Sequence, residues 1–376
     1  MNTLRASAGV LWLWWCVVAP GAWAREAFVQ VDDRPLYFSP QVQARDLAAN
    51  ASAQAEEALT LLAEQIAAAG GRRETVARLN AYVRDPNDRQ AVERAVDRYL
   101  AGVPVTLVTV ATPLPDPAAR VAFDAVVAVA NEPDRVQVTP AGGAVLPSGA
   151  KVFLSGLVER GSGMLEGVGR TMDGLGAMLQ HLGLGWADVV QVKAFVQPYA
   201  ERAVAEREIA ARFAGGPVPP IVCVEWVQAQ PAEIELVASG RALTVAPTEP
   251  LSFPDFPGRA RSPRYSHAAV VAAGTPLIFL DGLVPRPGLT PREQWKDVFA
   301  RLGSTLFDAG SGFRFLVKAT YYTSDAEARR VLNEIRAVHY DPARPPSASA
   351  IGVRHVGHEG AAVNVDLIAV PLPGPR

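Results

Sequence analysis

The stretch that decides the fold is Val189-VQVKAFVQPYAERAVAEREIAARF, residues 189–213. Val192, Ala194 and Val196 recur at every second position, which predicts a strand. A polar turn and an amphipathic helix follow. The same order recurs in Val76-ARLNAYVRDPNDRQAVERAVDRYL and in Phe315-LVKATYYTSDAEARRVLNEIRAVHY, where Arg78 and Lys318 stand at the place of Gln191. Working outward, each stretch follows a helix closed by glycine, as a C-cap favours: Ala55-EEALTLLAEQIAAAGG, Thr171-MDGLGAMLQHLGLG and Gln294-WKDVFARLGSTLFDAGSG. Upstream of each helix lies an aromatic-rich strand: Leu36-YFSPQV, Val152-FLSGLV and Ile278-FLDGLV. Two further β-rich segments follow each decisive stretch: Val105-TLVTVA with Val121-AFDAVVAV, Ile221-VCVEWV with Glu233-IELVA, and Ala350-IGV with Val363-NVDLIAV. Strand, helix, strand, helix, strand, strand thus repeats three times.

The chain has 376 residues, of which 49% are hydrophobic and 20% charged. That length holds two or three domains with ample core. Lys and Arg number 36 against 38 Asp and Glu, and no basic stripe stands out, so nucleic acid is not an expected partner. Cys16 and Cys223 are too few for a disulfide scaffold or a cysteine-rich zinc site. Arg5, the apolar run Val10–Ala19 and Ala22-Trp23-Ala24 read as a signal peptide cleaved after residue 24. Export to a periplasmic or secreted location follows, with no membrane attachment after cleavage and Cys223 as the sole remaining thiol. Composition shifts near Asn131-Glu-Pro-Asp and in the proline-rich segment before Pro263 place the units at 25–130, 131–246 and 262–371. Residues 247–261 form a stiff linker and 372–376 a tail.

The repeat resembles the reactive-intermediate deaminase (Rid, also called YjgF) family. Phe153-LSGLV, Asp188-VVQVKAFVQ, Pro219-PIVCVEWV and Glu233-IELVA carry the likeness, with Arg264-Tyr265-Ser266-His267 ahead of the third copy's first strand. The resemblance implies an α+β, chorismate-mutase-like fold in each copy. It also implies homotrimers with clefts at the subunit interfaces. Two helices cover one face of a sheet, so the other face needs a partner. Tethering supplies it at an effective concentration of order mM. The expectation is a monomeric chain acting as a single-chain pseudotrimer, with independent domains on linkers as the alternative.

In the family, a cleft arginine in a Pro-x-Arg-[Ser/Thr] segment binds the substrate carboxylate, and an acid positions water for imine or enamine hydrolysis. Counting along the motif puts Thr106, Ile221 and Ala348 at the arginine's place, so all three copies lack it. Arg241 and Arg354 are left as possible substitutes. The acid's place holds Glu233 in the second copy, Ala122 in the first and Asn364 in the third. By the same resemblance Ser39, Ser155 and Asp281 share a cleft position, Cys223 matches a cysteine beside the missing arginine, and Tyr265 matches a cleft tyrosine. Each has a plainer reading. Glu233 could be a salt-bridged carboxylate and Cys223 a buried inert thiol. Ser155 could bond backbone, Asp281 could serve a turn, and Tyr265 could be an interface aromatic.

His355 and His358 have metal-like spacing but lack further ligands, so no metal is expected. Gly161–Gly167 has the wrong spacing for a dinucleotide loop, so no cofactor is expected. Gly174 and Gly176 inside a helix imply close packing. The expected function is binding of a small, neutral or apolar metabolite in interdomain clefts, with the absent cleft arginine arguing against imine deaminase activity. The alternatives are an active enamine/imine deaminase or related C–N hydrolase using Glu233, and a structural or protein-interaction module.

Overall fold

The computed structural model describes residues 27–213 and 215–373. The signal-peptide reading, Cys16 and the end of the tail lie outside the described residues. Among the described residues, no helix is long and apolar enough to cross a membrane.

In chain order the strands are β1 (Phe28–Val31), β2 (Leu36–Phe38), β3 (Val42–Gln43), β4 (Val76–Val83), β5 (Thr106–Ala111) and β6 (Val121–Ala128). Then come β7 (Gln137–Val138), β8 (Ala144–Leu146), β9 (Lys151–Leu157), β10 (Val189–Val196), β11 (Ile221–Glu225) and β12 (Ala232–Ser239). The last are β13 (Leu251–Ser252), β14 (Ala268–Val271), β15 (Leu277–Leu283), β16 (Leu316–Thr323), β17 (Ser347–Gly352) and β18 (Val363–Ala369). Among the described residues, six α-helices pair off between them: α1 (Ala51–Ala68) with α2 (Arg89–Leu100), α3 (Met164–His181) with α4 (Arg202–Ala211), and α5 (Pro291–Asp308) with α6 (Ala326–His339).

Local chemistry sets the helix starts. Asn50 caps α1 by accepting from the Ala53 N–H at 3.1 Å, and Asp325 caps α6 by accepting from the Ala328 N–H at 2.8 Å. Thr290 and Glu293 form a capping box around Pro291 at the start of α5.

The strands form three mixed sheets. The first runs β5-β4-β6-β2-β8-β7 with β3 beside β6, the second β11-β10-β12-β9-β14-β13, and the third β1-β15-β18-β16-β17. Each holds one parallel pair joined through a helix (β4/β5, β10/β11, β16/β17), as parallel neighbours require, and an antiparallel strand beside it (β6, β12, β18). The registers coincide. Leu79 faces Ala125 and Leu107, Val192 faces Leu236 and Ile221, and Ala319 faces Leu367 and Ala348. Even the irregularity recurs, between Val76 and Arg78, between Val189 and Gln191, and between Leu316 and Lys318.

Strands are also exchanged between sheets in a cycle. β8, which leads into β9 of the second sheet, instead pairs β2 of the first. β14 leads into β15 of the third sheet but pairs β9 of the second. β1, which leads into β2, pairs β15 of the third. The hairpin of residues 137–146 therefore belongs by pairing to the sheet before the Asn131 composition shift.

Each sheet packs its helix pair on one face, around Leu59 and Leu62, Met172 and Leu175, or Trp295 and Phe299. The opposite faces of all three sheets meet one another. Two apolar layers fill that interior. One contains Phe38, Phe153 and Phe279, and the other Tyr82, Phe195 and Tyr322. Phe38, Phe153 and Phe279 hold the same register position in their sheets, opposite Val126, Val237 and Ile368.

Candidate functional site at the meeting of the second and third sheets

A charged layer lies inside the meeting faces. It surrounds a small cavity of about 40 Å³ lined by Arg78, Asn80 and Asp124 of the first sheet, Gln191, Lys193 and Glu235 of the second, and Lys318 and Asp366 of the third. The three acids hold one register position, since Asp124, Glu235 and Asp366 each precede the residue level with Leu79, Val192 or Ala319.

Cations reach across to them in a ring. Arg78 of the first sheet pairs with Asp366 of the third and donates to the Leu367 carbonyl at 2.6 Å. Lys318 of the third pairs with Glu235 of the second at 2.6 Å. Burial of the Lys193 ammonium opposes its charge, but Tyr322 and the carboxylates of Asp366, Glu235 and Asp124 outweigh that and raise its proton affinity. Burial pushes the Asp124 carboxyl up, against Lys193 and the bonds from Tyr82 at 2.6 Å and Asn80 at 2.7 Å. Asp366 goes the other way: despite burial, Arg78, Lys193 and Lys318 hold it below the ordinary range.

From this ring a polar path runs outward along β12. Glu233 and Glu235 are two residues apart, so both leave the same face of the strand. Glu233 is 7% exposed. Burial pushes its carboxyl up to about 8, and the Glu235 charge adds to the rise. A Ser349 hydrogen bond and the Lys318 charge pull back. β17 of the third sheet covers it. The Ser349 hydroxyl donates to Glu235 Oε2 at 2.6 Å and accepts the Gly156 N–H at 3.1 Å. Ser155 accepts the Ala348 N–H at 2.8 Å and donates to the Ser266 carbonyl. Gly156 is required here, because a Cβ would collide with the Glu233 carboxylate and lie 2.6 Å from Ser349 Oγ.

The structure thus brings Glu233 and Ser155 together. Tyr265 stands one residue from Ser266, but its ring packs edge-on to His267 at 5.4 Å and lines a separate small groove with Phe253, Asp255 and Arg261. Asp281 lies at the meeting of the third and first sheets, where its carboxylate accepts the Leu107 N–H at 2.6 Å. Cys223 lies between the first and second sheets. Its backbone is held by the Gln41 side chain at 3.3 and 3.4 Å, and its fully buried thiol has a strongly raised pKa. Buried and protonated, it has no nucleophilic character.

Two positions read by counting shift by one residue. Leu107, not Thr106, is level with Ile221 and Ala348. Ser39 bonds Ala125 and so is level with Leu154 and Leu280, which leaves Pro40 level with Ser155 and Asp281. None of the three aligned positions is an arginine. Of the possible substitutes, Arg241 binds Ser148, Pro133 and Glu132, and Arg354 pairs with Glu225 at 2.7 Å with its side chain 75% exposed. Ser347, Ser349, Glu235 and Lys318 were not singled out from sequence. Their only signal there was the shared offset of Lys318 with Arg78.

Among the described residues, no group of three or more His, Cys, Asp and Glu side chains is placed to hold a metal ion. His355 uses Nδ1 to accept the Gly357 N–H at 3.0 Å.

The fold and this site define a class: α+β sheets of one topology, meeting face to face, with polar side chains at their meeting edges. Residues 259–371, which span β14 to β18 with α5 and α6, match the family model described as Endoribonuclease L-PSP. Among solved structures, a YjgF family member from Neisseria meningitidis is similar at 25% identity, over 33% of this chain and 97% of its own, with a TM-score of 0.25. Yeast Mmf1 is similar at 17% identity over 34% and 98%, with a TM-score of 0.24. A member of the YjgF/YER057c/UK114 family from Mycobacterium tuberculosis is similar at 22% identity over 26% and 85%, with a TM-score of 0.23. No curated protein matches.

Proposed function

We propose that this chain is an exported, Rid-like small-molecule-binding protein in which three tandem units (25–130, 131–246 and 262–371) imitate a trimer. The cyclic exchange of β1, β8 and β14 and the shared register support that reading. The three meeting edges are unequal. Asp281 and Gln41 fill two of them by bonding the neighbouring main chain. The third offers Glu233, Ser155 and Ser349.

The observation that carries the function is the Glu233 carboxyl: buried beside Gly156 and Ser349, its proton affinity raised by burial, with no aligned guanidinium. A neutral carboxylic acid donates a hydrogen bond to a carbonyl or imine-type acceptor. A substrate carboxylate would find no bidentate partner at Leu107, Ile221 or Ala348. The ligand is therefore a neutral or apolar metabolite, and 2-imino acids are poor substrates. A second reading, a deaminase acting on a neutral enamine or imine, is favoured by the same acid, since a donor with a raised pKa can protonate a leaving amine.

Thermal-shift screening of the mature chain against neutral metabolites tests the binding reading. A stabilising ligand whose effect is lost in Glu233→Gln supports it, and indifference to every compound overturns it. Freshly generated 2-iminopropionate is expected to decay at its spontaneous rate. Ammonia release from a neutral enamine, abolished by Glu233→Gln, would select the deaminase reading.

A further inference from the structure

The side chains that cross between sheets in the charged layer start from one register position. Arg78, Gln191 and Lys318 lie opposite Val126, Val237 and Ile368, each two residues beyond Asp124, Glu235 or Asp366. Two of the three reach an acid on another sheet. Arg78 of the first pairs with Asp366 of the third, and Lys318 of the third pairs with Glu235 of the second. Carried round once more, the cycle would run from Gln191 of the second sheet to Asp124 of the first. A neutral amide stands there in place of a cation. Asp124 is held instead from its own sheet, by Asn80 at 2.7 Å and Tyr82 at 2.6 Å. Gln191 and Asp124 both line the cavity of about 40 Å³.

Around that cavity, hydrogen-bonding capacity of both kinds is left over. Arg78 Nε, a donor, and Asn80 Oδ1, an acceptor, are buried with no partner among the described residues, and leaving such groups dry is costly. The Lys193 ammonium lines the same cavity, buried on the strand position opposite Glu235. It stands 5.7 Å and 5.9 Å from the ring centres of Tyr322 and Phe195. An occupant must therefore accept hydrogen bonds from Lys193 and Arg78 and donate one to Asn80. A halide or similar simple anion only accepts, and a cation would sit against two positive charges. Water does both. An ordered molecule needs roughly 10–15 Å³ of such volume and about two to four polar partners. We propose that the cavity is a binding site for a cluster of about two or three water molecules, which supply the third link of the ring between Gln191 and Asp124. Solvent thus joins the first and second sheets in this layer, where the other two junctions have ion pairs. This inference is independent of the part played by Glu233.

The test is a crystal structure of the full chain at a resolution that shows ordered solvent, with a parallel set of crystals grown in bromide. Density peaks are expected within hydrogen-bond distance of Lys193 Nζ, Arg78 Nε and Asn80 Oδ1, and they carry no bromine anomalous signal. Gln191→Lys places an ammonium across from Asp124 and is expected to expel at least one of those molecules. In solution, oxygen-17 relaxation dispersion then shows at least one fewer long-lived water in Gln191→Lys than in wild type. A cavity without solvent density overturns the proposal. Bromine signal at the site overturns it in favour of an anion. An equal number of long-lived waters in the two proteins overturns the assignment of water to the third link. Should Gln191→Lys fail to fold, the wild-type density and the bromide crystals still decide the matter.

Discussion

Arg78 on the first sheet and Asp366 on the third form a salt bridge almost wholly withdrawn from water, across 288 residues of chain. Lys193 and Lys318 also draw on the Asp366 charge, but Arg78 is the cation that is hydrogen-bonded to it. The pair therefore ties the first sheet to the third, as Lys318 and Glu235 tie the third to the second.

Breaking that pair from one side leaves the other charge buried. Arg78→Met is expected to lower unfolding stability by roughly 3–5 kcal/mol, a loss typical of an orphaned interior ion. Asp366→Asn should be milder, because a neutral amide still accepts a bond. Urea unfolding of both variants and their double mutant checks this, and a purely additive cycle would show that the two do not interact.

The same pair sets an acid limit. Despite burial, Arg78, Lys193 and Lys318 hold the folded Asp366 carboxyl below the ordinary carboxylate range. Its contribution is therefore fully present above about pH 4 and is lost as pH falls through the folded value. Wild type should lose stability in that acid window, and Asp366→Asn should lose less.

Glu233 has the opposite sign. Burial and the neighbouring Glu235 push its carboxyl up to about 8 in the folded chain, against about 4.5 for an exposed glutamate. From pH 4.5 to 8 the unfolded chain ionises while the folded one does not, so stability falls as pH rises and levels off above 8. Glu233→Gln should flatten that slope and be the more stable protein at pH 8, by an amount on the order of a few kcal/mol. Equal pH slopes for the two proteins would refute the assignment.

The exchanged strand is tested by truncation. Deleting residues up to Val31 removes β1 from β15, to which it pairs from Phe28↔Leu280 to Val31↔Leu277. Amide exchange is expected to accelerate in β15 of the third sheet rather than in β4 and β6, although the deletion lies in the first unit's sequence. Faster exchange confined to the first sheet would contradict the pairing.

Asp281 seals the meeting of the third and first sheets. Asp281→Ala strands the buried Leu107 N–H, at a cost of about 1–3 kcal/mol. Asp281→Ser should recover part of it, because Ser155 performs the same task for Ala348 at 2.8 Å. Thermal unfolding of the two variants decides.

What the residues alone determined was the local order. Alternation in Leu79-Ala81-Val83 or Val192-Ala194-Val196 is a short-range property, as are the caps at Asn50, Thr290 and Asp325, so the strand and helix pattern could be read three times over. That no arginine stands at the aligned positions was legible as well, and the one-residue shift from Thr106 to Leu107 did not alter it. Tertiary structure decided the rest. Counting cannot detect a slip of one residue, because Ser39 and Pro40 sit equally well at the end of an apolar run and only their cross-strand partners distinguish them. That β1, β8 and β14 pair with a neighbouring sheet depends on edges remote in sequence. The charge ring and the Lys318–Glu235–Ser349–Glu233 path exist only because three faces converge and exclude water, which turns ordinary strand residues into coupled groups.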